Sequence, residues 1–248
     1  MASQRKLVQS FFDQLAPAYR ERYEGRRVFL KYLHLERVDK ALQGRDLSGK
    51  TVLDIGAGTG ILYDRLEQMK VGADYYACDI SAPMLAQSKI PSEKRRVGTP
   101  RECNFPVPAF DYIFLLGVTT YLSEEEFSDM LDYIAAHLAE GGAAVISFSN
   151  RLSVDFQVRR LAAAVLPRQI LKKTVLGQAF PFKGYGLKEA KALVPGALRA
   201  ESCRWLNATV FPFNRLFPRL SVALARLFLR FHLPGFLCAD FLLFLRKQ

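Results

Sequence analysis

Apolar residues recur at helical spacing near the start of the chain: Leu7, Phe11 and Leu15, then Val28, Tyr32 and Leu35. One or two helices over 7–43 follow from this spacing, and Gly44 and Ser48-Gly49 mark the exit. The period then changes. Thr51-Val52-Leu53-Asp54-Ile55 has the pattern of a short buried strand and runs straight into Gly56-Ala57-Gly58-Thr59-Gly60. A helix over 61–69 comes next, then a second strand over 75–78 closed by Asp79. The next helix spans 83–88, with Ser81 as its cap. A short third strand falls near Arg96-Val97 and a strong fourth over 111–116. Ser123 followed by Glu124, Glu125 and Glu126 is a helix start, with an acidic first turn and Glu126 at the capping-box position. That helix runs to about 138, Gly141-Gly142 turns the chain, and 143–148 is a fifth strand.

Strand and helix alternate throughout this stretch, which predicts an α/β fold with a mostly parallel sheet and right-handed crossovers. After Asn150 the pattern breaks up. Residues 151–185 are basic and helical in part, 187–193 is a helix, 199–205 a strand, 207–235 a second insertion and 240–246 a closing strand. The expected organisation is one domain over 1–248. It has an N-terminal helical lid over 1–46, a core over 50–150, cap insertions over 151–186 and 207–235, and a last strand over 240–247.

Composition adds a few exclusions. Half of the residues are hydrophobic, enough for a sizeable core, and 24% are charged, which argues against disorder. The four cysteines (Cys78, Cys103, Cys203, Cys238) form no CxxC pair and the three histidines do not cluster, so no metal site is expected. They read as free thiols of a reducing compartment. The N-terminus MASQRKLVQSFFDQ lacks an apolar signal region, and a cytoplasmic protein is expected. Net charge is +11 and unevenly placed. Residues 1–150 carry 18 Lys and Arg against 20 Asp and Glu, whereas 151–248 carry 17 against 4. The second half therefore points to something anionic: nucleic acid, a membrane surface or an acidic small molecule.

The loop Asp54-x-Gly56-x-Gly58-x-Gly60 carries the most chemistry. Glycine is needed where backbone approaches a ligand closely or takes positive φ. Asp79 lies 25 residues after Asp54, where an acidic side chain can accept both ribose hydroxyls of a nucleoside. A dinucleotide fingerprint is GxGxxG with a helix N-terminus aimed at a pyrophosphate. Here the spacing is GxGxG and a carboxylate precedes it, which opposes a pyrophosphate and suits a cation. That argues against a nicotinamide-dependent oxidoreductase.

These motifs resemble those of class I S-adenosylmethionine (SAM) dependent methyltransferases of the small-molecule, biosynthetic kind. VLDIGAGTG resembles their first motif and ACDIS-PML their second. FDYIFLLGVTTYLS resembles the fourth-strand motif, and HLAEGGAAVIS the turn and fifth strand, with Ala139-Glu140 in place of Lys-Pro. ADFLLFLRK resembles the last strand and FFDQLAPAYRERY a lid helix. The resemblance implies a Rossmann-like seven-stranded sheet with helices on both faces, SAM as cofactor and S-adenosylhomocysteine (SAH) as product. It implies that Gly56, Ala57, Gly58 and Gly60 approach the methionine part and that Asp54 supports the loop or the amino group. Asp79 would bind the ribose, Ile80 and Met84 wall the adenine, Thr99 and Pro100 lie at its edge, Gly117 sit beside the sulfonium and Tyr19 close over the cofactor. One departure stands out. Many relatives carry Gly-Asp-Ala after the third strand, and this chain has Gly98-Thr99-Pro100, so Thr99 or a backbone group would have to meet the adenine amino group. That keeps a non-catalytic SAM-binding protein open as an alternative.

Methyl transfer from a sulfonium is an in-line displacement, in which alignment alone lowers the barrier by roughly 7–11 kcal/mol in favourable systems. No fixed catalytic residue is required. Candidates for a base are Tyr121, Tyr19 and His34; His137 and His232 read as structural. Tyr23, Tyr121, Lys183, Tyr185 and Phe213 are candidates for contact with the acceptor, in segments where this family builds its acceptor site. Aromatic residues such as Phe180 and Phe182 predict a hydrophobic or aromatic small molecule methylated on O or N, acidic or lipid-linked. Arg215, Arg219, Arg226 and Arg230 share one side of a basic amphipathic helix over 214–231, with Pro218 at its start. Such a helix either lies on an anionic membrane as a peripheral contact or caps the pocket. Arginines interrupt every apolar run before it could span a bilayer. The basic second half also raises RNA methylation, but LLGVTTYL lacks the Asn/Asp-Pro-Pro-aromatic motif of amino-methylating nucleic-acid enzymes, which counts against nucleic acid. Monomer and homodimer both remain open.

Overall fold

A computed structural model of the chain describes residues 4–24, 27–165, 182–228 and 234–248. The side chains at 22–26, Tyr23 among them, lie outside what is described, as do Phe180, Arg230, Phe231 and His232. The N-terminal pattern resolves into two helices, α1 (Gln4–Glu24) and α2 (Val28–Leu42). Seven strands follow: β1 (Thr51–Ile55), β2 (Asp74–Asp79), β3 (Arg95–Val97), β4 (Phe110–Leu115), β5 (Leu138–Ser149), β6 (Leu198–Leu206) and β7 (Asp240–Lys247). They form one sheet in the order β3-β2-β1-β4-β5-β7-β6. All pairs are parallel except those of β7, which runs antiparallel to both β5 and β6. Between them lie α3 (Ile61–Met69), α4 (Ala82–Ala86), α5 (Glu124–His137), α6 (Val154–Val165) and α7 (Leu187–Ala192). Two further helices, α8 (Phe213–Leu216) and α9 (Pro218–Phe228), precede β7.

The sheet is buried on both faces because its strands alternate between two apolar sets. Leu53, Ile113, Ile146 and Leu243 join Phe127 and Ile134 of α5 on one face. Their neighbours Val52, Phe114, Val145 and Leu242 join Leu62 and Leu66 of α3 and Val38 of α2 on the other. The N-terminus of α5 is fixed by the capping box read in the sequence: Glu126 N–H donates to Ser123 Oγ, and Ser123 N–H donates to the Glu126 carboxylate.

Three expectations change. Gly141-Gly142 does not end one element and start another. The strand is continuous from Leu138, and pairing jumps from Phe110↔Leu138 to Tyr112↔Ala143 across a bulge, with Gly141 at φ 67°. The single amphipathic helix over 214–231 is two helices broken at Phe217, and the part beyond Phe228 lies outside the described residues. Tyr185 does not face an acceptor. Its N–H donates to Ser149 O, which draws the ring to the carboxyl end of β5 against Phe127 and Phe148, where it is fully buried.

The Tyr185 hydroxyl has no hydrogen-bond partner. Tyr185→Phe removes a polar group that burial penalises, so stability should hold or rise by about 1 kcal/mol in urea unfolding. A clear loss would mean that the hydroxyl is bonded.

Candidate functional site

In open α/β sheets ligands bind beyond the carboxyl ends of the strands where the strand order reverses. Here that point lies between β1 and β4. β1 ends in the glycine loop, β2 in Asp79 and β4 just before Gly117. A cavity of 2260 Å³ opens there. Small-molecule sites are usually about 300–1,000 Å³, so this one has room for a cofactor and a second molecule.

The loop is held by the neighbouring strand. Gly56 N–H (2.8 Å) and Ala57 N–H (3.1 Å) both donate to Cys78 O, and Gly58 N–H donates to Asp79 Oδ2 at 2.8 Å. Ser81 N–H donates to the other Asp79 oxygen at 2.8 Å. The carboxylate is thus aimed along the cleft, with lone pairs left for two hydroxyl donors. Burial pushes Asp79 up to about 6, against the two amides, which favour its charge. Burial likewise pushes Asp54 up to about 7, although the Tyr75 hydroxyl donates to it at 2.6 Å.

Gly56 is required by space and by its positive φ, Gly117 by its positive φ. A Cβ on Gly56 (φ 75°) would lie 2.3 Å from Val118 Cγ2. One on Gly117 (φ 77°) would lie 2.8 Å from Arg37 Nη1. Gly117 N–H donates to Ser147 Oγ, and Thr119 Oγ1 donates to Ser147 O, tying the end of β4 to β5.

The cavity gathers Asp54, Gly56, Ala57, Gly58, Asp79, Ile80, Met84, Thr99, Pro100 and Gly117, together with Tyr19, His34 and Tyr121. Gly60 is placed elsewhere. It precedes α3 in a left-handed conformation and faces Ser88 and Ile90. Lys183 and Phe213 also lie away from the lining. Lys183 is drawn to Glu124 at 2.8 Å, and the ring of Phe213 packs on Phe217. Tyr121 packs edge-on against Phe12 and Phe182. His34 lies edge-on to Tyr19, and burial and the Arg37 charge push it down to about 3. It is therefore neutral at physiological pH and a poor proton acceptor.

Several contacting residues had no individual signal in the sequence. From α1, Arg20 donates to Thr59 O and Asp64, Ser81 Oγ donates to Asp13, and Gln4 donates to Tyr121 O. Arg5 pairs with Glu102, whose Oε2 also accepts Thr99 N–H, so the segment where relatives carry an Asp is held from the lid instead. Asp13 and Arg20 lie within the quoted lid motif, where only Tyr19 was singled out. Arg37 and Asp240 meet at 3.2 Å across the molecule and line the same cavity. Among the described residues no group of three or more His, Cys, Asp or Glu could hold a metal ion.

The residues present fit SAM: a carboxylate poised for a diol, a second beside the loop for a cationic group, and glycine surfaces that admit no side chain. A ribose diol and an ammonium both favour ionised carboxylates. SAH affinity should therefore be greatest above about pH 7 and fall as pH drops through the Asp54 and Asp79 values, by about tenfold at pH 5 from Asp79 alone. Titration calorimetry should show Asp79→Asn binding weakly and without that lower step. A pH-independent wild type would remove Asp79 from the site. Gly117→Ala forces a left-handed alanine, costing about 1–2 kcal/mol, and displaces Arg37; its SAH affinity should fall roughly tenfold.

Residues 53–144 match the family model described as a methyltransferase domain. A Streptomyces protein, cypemycin N-terminal methyltransferase, is 35% identical over 112 residues. That match covers 43% of this chain and spans 44% of the relative's length. Magnesium protoporphyrin IX methyltransferase from Synechocystis PCC 6803, solved with SAH, superposes with a TM-score of 0.64 at 14% identity, covering 99% of this chain and 100% of that one. A SAM-dependent methyltransferase from Archaeoglobus fulgidus gives 0.59 at 15% identity, over 92% and 98%. SAM is the methyl donor of this family. Residues 53–144 thus match the methyltransferase-domain model, and over its length the chain has the fold of SAM-dependent methyltransferases.

Proposed function

We propose that the chain transfers a methyl group from SAM to an oxygen or nitrogen of a hydrophobic or aromatic small molecule that carries an acidic group. The supporting observation is the size and lining of the cavity. Beyond the glycine loop and Gly117, its wall includes Phe12, Tyr121, Phe156, Phe182, Phe211 and Phe217, with Arg159, Arg215 and Arg219. Those rings suit an apolar body and those cations an acidic substituent.

SAM supplies a methyl group already activated on a sulfonium. The protein's part is to align the acceptor and keep water out. The α1 contacts to Thr59, Ser81 and Tyr121 close the cleft over the cofactor side. With His34 pushed down to about 3 by burial and the Arg37 charge, the histidine that lines the cavity among the described residues is a poor general base. This favours acceptor atoms that carry a free lone pair at neutral pH, such as a carboxylate or an ionised phenol. Tyr19 and Tyr121, which line the cavity, would hydrogen-bond the acceptor rather than deprotonate it.

Methyl-radiolabelled SAM offered with lipophilic carboxylic acids, phenols, amines and RNA tests the reading. Label should enter one of the acidic lipophilic molecules, and Asp79→Ala should lower the rate by about a hundredfold. Label entering only RNA would overturn it, as would tight SAH binding with no transfer to any acceptor.

A further inference from the structure

Helix α9 is turned the opposite way from a cap that buries its large residues. It meets α2 through Ser221, Val222 and Ala225, which are buried, with Val222 and Ala225 packed against Tyr32. Its large apolar residues face outward. Leu220 is 51% exposed, Leu227 47% and Phe228 40%, and Leu216 and Phe217 just before it are 67% and 56% exposed. Leu220, Leu227 and Phe228 fall within about 100° of one another on a helical wheel. Isolated exposed leucines need no explanation, but a contiguous outward stripe of this kind marks an interaction surface.

The charge beside the stripe narrows the partner. Residues 207–235 contain four arginines and no Asp or Glu. Arg219 and Arg226 share one flank of α9, between the stripe and the face that meets α2, and Arg226 lies over the Tyr32 ring. An apolar stripe with arginines alongside matches the boundary of a bilayer with anionic headgroups, where apolar side chains enter the acyl edge and guanidinium groups meet phosphate. No helix among the described residues is long and apolar enough to cross a membrane, so the contact is lateral.

The place of the stripe adds a functional reason. Phe217, Pro218, Arg219 and Leu220 belong both to this surface and to the wall of the cavity. Val28, exposed at the start of α2, also lines it. We propose that the outer face of α8 and α9 seats the protein on an anionic lipid bilayer, with the mouth of the cavity opening onto the lipid. A lipophilic acceptor would then pass from bilayer to cavity without crossing water. The docking itself rests on the helix face and not on the methyl-transfer reading.

Vesicle co-sedimentation tests the docking. Wild-type protein should bind phosphatidylcholine vesicles containing about 30% phosphatidylserine at least tenfold more strongly than pure phosphatidylcholine, and lose most of that preference at about 0.5 M salt. Leu227→Asp/Phe228→Asp, whose positions lie outside the cavity, should cut binding to anionic vesicles about tenfold or more. Its SAH affinity, read by calorimetry, should stay within twofold, which shows that the variant is folded. Arg219→Gln/Arg226→Gln should weaken vesicle binding several-fold and flatten its salt dependence. Wild-type protein that stays in the supernatant with anionic vesicles would overturn the proposal. So would a dimer in solution that Leu227→Asp/Phe228→Asp dissolves, because the stripe would then be covered by a second copy.

Discussion

The site depends on one contact between adjacent strands: the amide of Gly58 donating to the carboxylate of Asp79. β1 and β2 are parallel neighbours, so their carboxyl ends arrive side by side, and the loop leaving β1 crosses the end of β2. Cys78 O takes the amides of Gly56 and Ala57, and Asp79 takes the next free one. The loop is thereby held open, its glycines presented to the cleft, and Asp79 is fixed with its remaining lone pairs outward. Everything at the ligand end is referenced to this corner, including Ser81, which binds Asp79 through its amide and reaches α1 through its hydroxyl.

Those parts of the molecule were legible because their signals are local. Strand alternation in Val52-Leu53 or Ile113-Phe114 tells which residue goes to which face before the faces are known. A capping box spans four residues, and the glycine loop with Asp79 spans two strands whose order the alternation of elements already dictates. Tyr185 shows where such reading stops. Its neighbourhood is aromatic and lies in an insertion, so it read as acceptor wall. Its burial follows from its backbone pairing with Ser149 and Arg151, which no periodicity records. Arg37 and Asp240 are 203 residues apart in sequence and meet only because β7 is inserted between β5 and β6. The amphipathic pattern of α9 was visible, but periodicity cannot say which side faces the protein. The small residues Ser221 and Ala225 decide that, by letting α9 approach α2 closely.

The charge asymmetry of the chain takes a clearer form in three dimensions. The acidic half contributes Asp54 and Asp79, which would meet the cation and the diol of SAM. The basic half contributes Arg159, Arg215 and Arg219 to the same cavity. Arg159 is paired there with Asp155, so Arg215 and Arg219 are the cations of this group that would meet the acidic acceptor proposed above.

The fastening of α1 has a consequence for time rather than for affinity. The helix crosses the cleft on polar bonds from Gln4, Arg5, Asp13 and Arg20 together with a few apolar contacts at Val8, Phe12 and Ala16. Bonds of this kind are part-exposed and individually weak, so they can let go one by one without disturbing the sheet. A spent cofactor beneath such a strap would leave at the pace of unbuckling, which would add to each round of the proposed reaction a waiting step set by the strap and not by the bond that is made or broken.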